Sequence, residues 1–164
     1  MQAEIAHGRM MKVFIVEDSA TMLKELQSTL SGIPGVTVVG HAVDEAGAIE
    51  RINALHPDVV TLDLRLETGS GIDVLKNVKK HHAGIKVVVL TNCTKEAYAK
   101  YCMHVGADHF FDKSFQYVQF RDVLRELACP DRPGNRLDPL QISGKLPVAS
   151  YPTNSVTGSY GHKM

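Results

Sequence analysis

Five short apolar runs recur along the chain at roughly even spacing: Val13–Val16, Val36–Val39, Val59–Leu62, Val87–Leu90 and a weaker His109–Phe111. The first four are rich in β-branched residues and do not alternate cleanly with polar ones. Strands buried on both faces of a parallel sheet have this pattern. Helical spacing fills the gaps between the runs. Leu23, Leu26 and Leu30 make one stripe, and Ile49, Ile52 and Leu55 a second. Ile72, Leu75 and Val78 make a third, Tyr98, Tyr101, Cys102 and Val105 a fourth, and Phe120, Leu124 and Leu127 a fifth. One apolar face on each helix is enough to cover a sheet. Ser19, Asp44, Ser70, Thr94 and Ser114 are expected N-caps, and Ser70 with Asp73 matches a capping box. Gly32 and Gly106 stand where helices should stop. The pattern predicts β-α repeated five times. Right-handed crossovers then give a three-layer α/β sandwich.

Beyond Ala128 the character changes. Residues 130–164 hold five of the seven prolines with Gly134, Gly144, Gly158 and Gly161, and show no periodicity. The expected organisation is a flexible arm over 1–10, one domain over 11–129 and a disordered Pro/Gly-containing tail over 130–164. Apolar residues make up 44% of the 164, enough for a core of ordinary size. The 18 basic and 18 acidic residues balance, which gives no electrostatic case for nucleic acid or an anionic membrane. No apolar run is long enough to span a bilayer. Cys93, Cys102 and Cys129 are an odd, scattered set. They argue against a disulfide framework and fit a reducing compartment, so a cytoplasmic location is expected.

The chemistry lies at the ends of the runs. In a parallel sheet all strand C-termini share one edge, and ligands bind there where helices change sides. The first run ends in Glu17-Asp18, the third in Asp63, the fourth in Thr91 and the fifth in Lys113. The second ends in Gly40-His41-Ala42 and supplies no such group. If the first strand lies between the second and third, three carboxylates converge. Their mutual repulsion should raise pKa values, and a hard divalent cation would relieve it. Mg²⁺ suits a few carboxylate oxygens plus a phosphate oxygen. Lys113 can supply a point charge and Thr91 a hydroxyl to a phosphoryl group beside the ion. Asp63 is then placed as an acyl-phosphate nucleophile. Single acids at strand ends usually face solvent or cap a helix. Acids, Thr and Lys at four of five strand ends carry more weight.

This order resembles the receiver domains of bacterial two-component response regulators, over about residues 11–128. The resemblance rests on Val13-Phe14-Ile15-Val16-Glu17-Asp18-Ser19, Pro57-Asp58-Val59-Val60-Thr61-Leu62-Asp63-Leu64, Gly69-Ser70-Gly71-Ile72-Asp73-Val74-Leu75, Val89-Leu90-Thr91 and Gly106-Ala107-Asp108-His109-Phe110-Phe111-Asp112-Lys113. It implies a flavodoxin-like (βα)5 fold with strand order 2-1-3-4-5 and a single-domain regulator. It implies Asp63 as phosphoacceptor, and Glu17, Asp18, Asp63 and the Arg65 backbone carbonyl around Mg²⁺. Thr91 and Lys113 match the catalytic hydroxyl and lysine. Thr91 and Phe110 match a switch pair that remodels the face of helix 4, strand 5 and helix 5. Arg65 and Cys93 match positions that tune the lifetime of the phosphorylated state.

The implied partners are a histidine kinase or histidine phosphotransfer protein as donor, and a downstream protein target of unknown identity. A homodimer is left open. The implied domain assists its own phosphorylation and dephosphorylation but is not a conventional enzyme. Two departures stand out. Ser114 follows Lys113 where the family often has Pro, and Leu66-Glu67 replaces the frequent Met-Pro. Two rivals share the pattern. A flavodoxin-like cofactor binder would need a Ser/Thr/Gly phosphate loop where Glu17-Asp18 stands. A phosphatase with Asp63 as nucleophile would commonly carry an acid at the position of Arg65. Gly69-Ser70-Gly71 is read as a turn and helix cap, because it lacks the Lys-Thr/Ser of a phosphate loop.

Overall fold

The computed structural model describes residues 8–93 and 95–129. Five strands alternate with five helices: β1 (Met11–Val16), α1 (Ala20–Ser31), β2 (Val36–Ala42), α2 (Glu45–Leu55), β3 (Val59–Leu62), α3 (Gly71–His81), β4 (Lys86–Thr91), α4 (Glu96–Val105), β5 (His109–Asp112) and α5 (Tyr117–Ala128). The sheet is parallel with order β2-β1-β3-β4-β5. The expected doubly wound sandwich is therefore present. The arm and tail expected from the sequence lie outside the described residues, apart from Gly8, Arg9 and Met10. Arg9 reaches back to Asp58 at 2.7 Å.

Alternate strand residues feed two cores. Phe14, Val16, Val60, Leu62, Val87 and Val89 pack with Ala48 and Ile52 of α2, Val74, Leu75 and Val78 of α3, and Cys102 of α4. Val13, Ile15, Val59, Val88 and Leu90 pack with Leu26 and Leu30 of α1 and Phe120 and Leu124 of α5. Burial on both faces explains the unbroken apolar runs. Each buried Val, Leu or Ile contributes roughly 1.5–3 kcal/mol of transfer free energy.

Local signals held unevenly. Ser19, Asp44 and Ser70 cap α1, α2 and α3 by accepting from Met22, Gly47 and Ile72 N–H. Gly69 sits at φ +86, as the turn reading requires. Gly32 closes α1, and Gly106 closes α4 in the left-handed region at φ 118. Ser114 is not a cap. Asp112 takes its N–H at 2.6 Å and the Gln116 N–H at 2.9 Å, and this turn delays α5 until Tyr117. Thr94 lies outside the described residues, and α4 follows Lys95, whose side chain makes no capping bond. The capping box does not close either. Asp73 pairs with Lys76 at 3.0 Å, and the Ser70 N–H goes instead to Glu45 of α2.

Two helical stripes are turned from their expected faces. In α2 the small Ala48, not Ile49, is fully buried beside Ile52. In α4, Ala99 and Cys102 form the buried seam while Tyr98 and Tyr101 stay exposed. Small residues let the helix lie close, and the phenol groups keep their water.

Candidate functional site

Register brings the polar strand ends together. Val16 pairs with Leu62, so Glu17 and Asp63 each follow one member of the last pair joining β1 to β3. The Asp63 N–H donates to Val16 O at 3.0 Å, and the Glu17 N–H to Ala42 O at 3.0 Å. Across the sheet, Thr91 pairs with Asp112, and the Lys113 N–H donates to Thr91 O at 3.1 Å. Five side chains from four strand ends thus meet at one edge: Glu17, Asp18, Asp63, Thr91 and Lys113.

Asp63 is held from several sides. Thr91 Oγ1 donates to its Oδ1 at 2.9 Å, and the Arg65 N–H to the same oxygen at 3.2 Å. Lys113 Nζ donates to its Oδ2 at 2.7 Å and to Glu17 Oε2 at 2.6 Å. Glu17 and Thr91 are fully buried, Asp63 nearly so, and Asp18 is exposed. One ligand oxygen each from Glu17, Asp18 and Asp63 lies within 4.8 Å of the others. Cys93 is half-buried, and its N–H donates to Thr91 Oγ1 at 3.1 Å.

Burial raises the Glu17 carboxyl above its ordinary value, against the lowering pull of Lys113, and Asp63 adds only a lesser push. The upward direction matches the expectation from crowding, but desolvation is the larger cause. For Lys113 burial works downward. Hydrogen bonds and charge from Asp63 and Glu17 outweigh it, so the ammonium is held above its usual range.

The remaining expected residues are more loosely placed. The Arg65 side chain is exposed, and its backbone pairs with Ser70 as an antiparallel bridge. Phe110 is half-buried against the core under α2, α3 and α4. Tyr98, Tyr101, Met103, Phe115 and Val118 are large and exposed on α4, the β5–α5 turn and α5. An open groove of about 690 Å³ lies at the opposite edge of the sheet, lined in part by Met11, His56, Asp58, His82, Ile85 and Ala128, and includes none of Glu17, Asp18 and Asp63.

Two arrangements carried no readable signal in the sequence. Gly71 lets α3 begin directly over the end of β3. A Cβ there would strike Asp63 O and lie 2.7 Å from Leu64 Cα. Asp108 accepts from Lys79 and Lys86 at 2.8 and 2.9 Å and from the Val87 N–H at 2.9 Å, which ties β5 to β4 and α3. Burial pushes its carboxyl up, but these bonds outweigh burial and hold it below the usual range.

A doubly wound α/β sandwich with an acidic cluster and a lysine at the carboxyl edge of the sheet defines a class of phosphoryl-handling domains. Residues 13–125 match the response regulator receiver domain, and the chain belongs to that family. It is 33% identical over 145 residues to the protein-glutamate methylesterase/protein-glutamine glutaminase of Thermotoga maritima, covering 86% of this chain and 42% of that protein. The protein of the same name from Hydrogenovibrio crunogenus is 40% identical over 134 residues, covering 80% of this chain and 36% of that protein. The chain thus spans well under half the length of these relatives. Among solved structures, the response regulator domain of Thermotoga maritima CheB superposes with TM-score 0.63 at 32% identity, covering 80% of this chain and all of that one. A complex of CheX with CheY, BeF₃⁻ and Mg²⁺ from Borrelia burgdorferi matches with TM-score 0.62 at 25% identity, covering 69% of this chain and 87% of that one. Among the described residues, no helix is long and apolar enough to cross a membrane.

Proposed function

We propose that this chain is a single-domain receiver whose Asp63 accepts a phosphoryl group from a histidine kinase or histidine phosphotransfer protein, with Mg²⁺ as cofactor. One observation carries the reading. The Asp63 carboxylate is held by the Thr91 hydroxyl, the Arg65 N–H and the Lys113 ammonium, with oxygens of Glu17 and Asp18 within 4.8 Å. The donor set suits a hard cation, because three carboxylates offer oxygen ligands and face one lysine. Glu17, Asp18, Asp63 and the Arg65 carbonyl would hold Mg²⁺. The ion would neutralise charge on the phosphoryl oxygens. The solved complex of CheX with CheY from Borrelia burgdorferi contains BeF₃⁻ and Mg²⁺, which supports this choice.

The transfer itself asks little of the protein beyond positioning and charge. An Asp63 oxygen attacks the phosphorus as the phosphorus–nitrogen bond of the donor phosphohistidine breaks, and the freed imidazole nitrogen takes a proton. Lys113 exchanges its bond to Asp63 for one to the new phosphoryl group. The Thr91 hydroxyl, already directed at Asp63, donates to a phosphoryl oxygen. Water attack at phosphorus later returns the carboxylate and inorganic phosphate. Arg65 and Cys93 border that approach and tune its rate.

Movement of Thr91 is coupled to Phe110, and the exposed face of α4, β5 and α5 changes with it. Tyr98, Tyr101, Phe115 and Val118 there supply apolar contact area for a target protein or the next carrier in a relay. The test is incubation with a small acyl phosphate and Mg²⁺, read by intact mass. Wild type gains one phosphoryl group and Asp63→Asn gains none. Equal labelling of both, or labelling without the cation, refutes the assignment. An immunoblot of the native protein tests the single-domain part: a band at the size of this chain supports it, and a larger one makes this the receiver arm of a longer regulator.

A further inference from the structure

Glu45 opens α2 and reaches the β3–α3 loop, and the phosphoacceptor reading gives it no role. Its geometry is nonetheless specific. Its carboxylate Oε2 accepts the Ser70 N–H at 2.9 Å, and its own N–H donates to Thr68 O at 3.1 Å. The side chain is half-buried. Gly69 passes so close that a Cβ would strike Glu45 Cβ and Oε2. Glu45 therefore holds the loop by two bonds that flank this glycine. The carboxylate also sits in the first turn of α2, where the helix dipole favours negative charge.

The grip leads to the site in two steps. Ser70, held by Glu45, pairs with Arg65 in the antiparallel bridge. Arg65 in turn donates its N–H to Asp63 Oδ1 at 3.2 Å. Ser70 is also the N-cap of α3, and its N–H is the donor that Asp73 leaves unmet by pairing with Lys76. A residue of α2 thus completes the cap of α3 and fixes the loop whose backbone faces the acceptor.

We infer that Glu45 is a positioning residue for the phosphoryl site: it aligns the backbone of Arg65 on Asp63 and on the Mg²⁺ held there, without touching either. The inference rests on the receiver reading above. Losing this support lets the 65–70 segment relax, so the Arg65 carbonyl that would hold the ion would be less firmly placed. Supporting residues of this kind commonly change metal affinity by about tenfold or more. Glutamine keeps an acceptor oxygen at the same reach and should restore the Ser70 bond; alanine cannot.

The experiment uses the full chain and Mg²⁺ alone as probe, followed by calorimetric titration. Glu45→Ala should bind Mg²⁺ about tenfold more weakly than wild type. Glu45→Gln should recover most of the affinity. In parallel, the decay of acyl-phosphate-labelled protein should change for Glu45→Ala and return toward wild type for Glu45→Gln. Thr29→Val, which removes the 3.0 Å bond between Thr29 and Tyr117, tests whether lost stability alone has this effect, and it should leave Mg²⁺ affinity unchanged. If Glu45→Ala does not fold, Gly69→Ala disturbs the same junction, through a clash with Glu45 Cβ and Oε2 and through backbone strain at φ +86, and should weaken Mg²⁺ binding likewise. Wild-type affinity and decay in a folded Glu45→Ala or Gly69→Ala protein overturn the inference while labelling of Asp63 still stands. Equal weakening in Thr29→Val also overturns it. A wild-type chain that takes no label sinks the receiver reading itself.

Discussion

Replacing Asp18 by Asn should stabilise the metal-free protein and remove its response to Mg²⁺. The ligand oxygens of Glu17, Asp18 and Asp63 lie within 4.8 Å of one another. Two unit charges at that separation repel by about 0.9 kcal/mol in water and about 3.5 kcal/mol at an effective dielectric of 20. Asp18 is exposed, so the lower value applies to each of its two pairs. Attraction to Lys113, which bridges the other two acids, offsets roughly one of them. The net gain for Asp18→Asn is then about 1 kcal/mol. For a domain of this size that raises Tm by about 3–5 °C. The assay is thermal unfolding at low salt with a chelator, and again with Mg²⁺. At ten times its dissociation constant the cation should stabilise wild type by about 1.4 kcal/mol, and the variant much less. A variant less stable than wild type in chelator, gaining as much from Mg²⁺, would refute both the repulsion and the assignment of Asp18 as a ligand.

Gly71→Ala should cost about 1–3 kcal/mol or more, because its Cβ has no room above the end of β3. Gly84→Ala, with nothing within 4 Å, is the control in the same urea titration. In the folded fraction of Gly71→Ala, labelling of Asp63 should slow, since the acceptor's own backbone is displaced; wild-type stability and labelling would contradict the close approach. Asp108 should govern acid sensitivity. Its folded pKa is lowered, so its contribution is fully present above the unfolded value near 3.9 and is lost as pH falls through the folded one. Asp108→Asn should therefore be less stable than wild type by about 1.5–3 kcal/mol at neutral pH, and the gap should close in strong acid. A gap independent of pH would rule out the ion pairs as its source.

Much of the site was legible because its signals are local. Glu17, Asp18, Asp63, Thr91 and Lys113 each follow an apolar run within two residues, and register needs only to align those ends. The caps at Ser19, Asp44 and Ser70 were equally readable, since an N-cap bonds within three residues of itself. Ser114 has the residue type of a cap but caps nothing, because Asp112, two residues earlier, takes the N–H groups of the same turn. The tyrosines of α4 misled because aromatic spacing marks a face without saying whether that face meets core or water.

The sequence by itself determined the alternation of elements, the burial of the three central strands on both faces (the edge strands β2 and β5 are only half-buried) and the chemical types gathered at their ends. These follow from periodicity and from residues acting on near neighbours. Only the tertiary structure decided that one lysine bridges Glu17 and Asp63, that Gly71 seats α3 against β3, and that the cap of α3 is completed by Glu45 from another helix. Each of these joins residues distant in sequence or depends on a close backbone approach. Their partners are chosen by crossover, register and packing, and no local pattern encodes those.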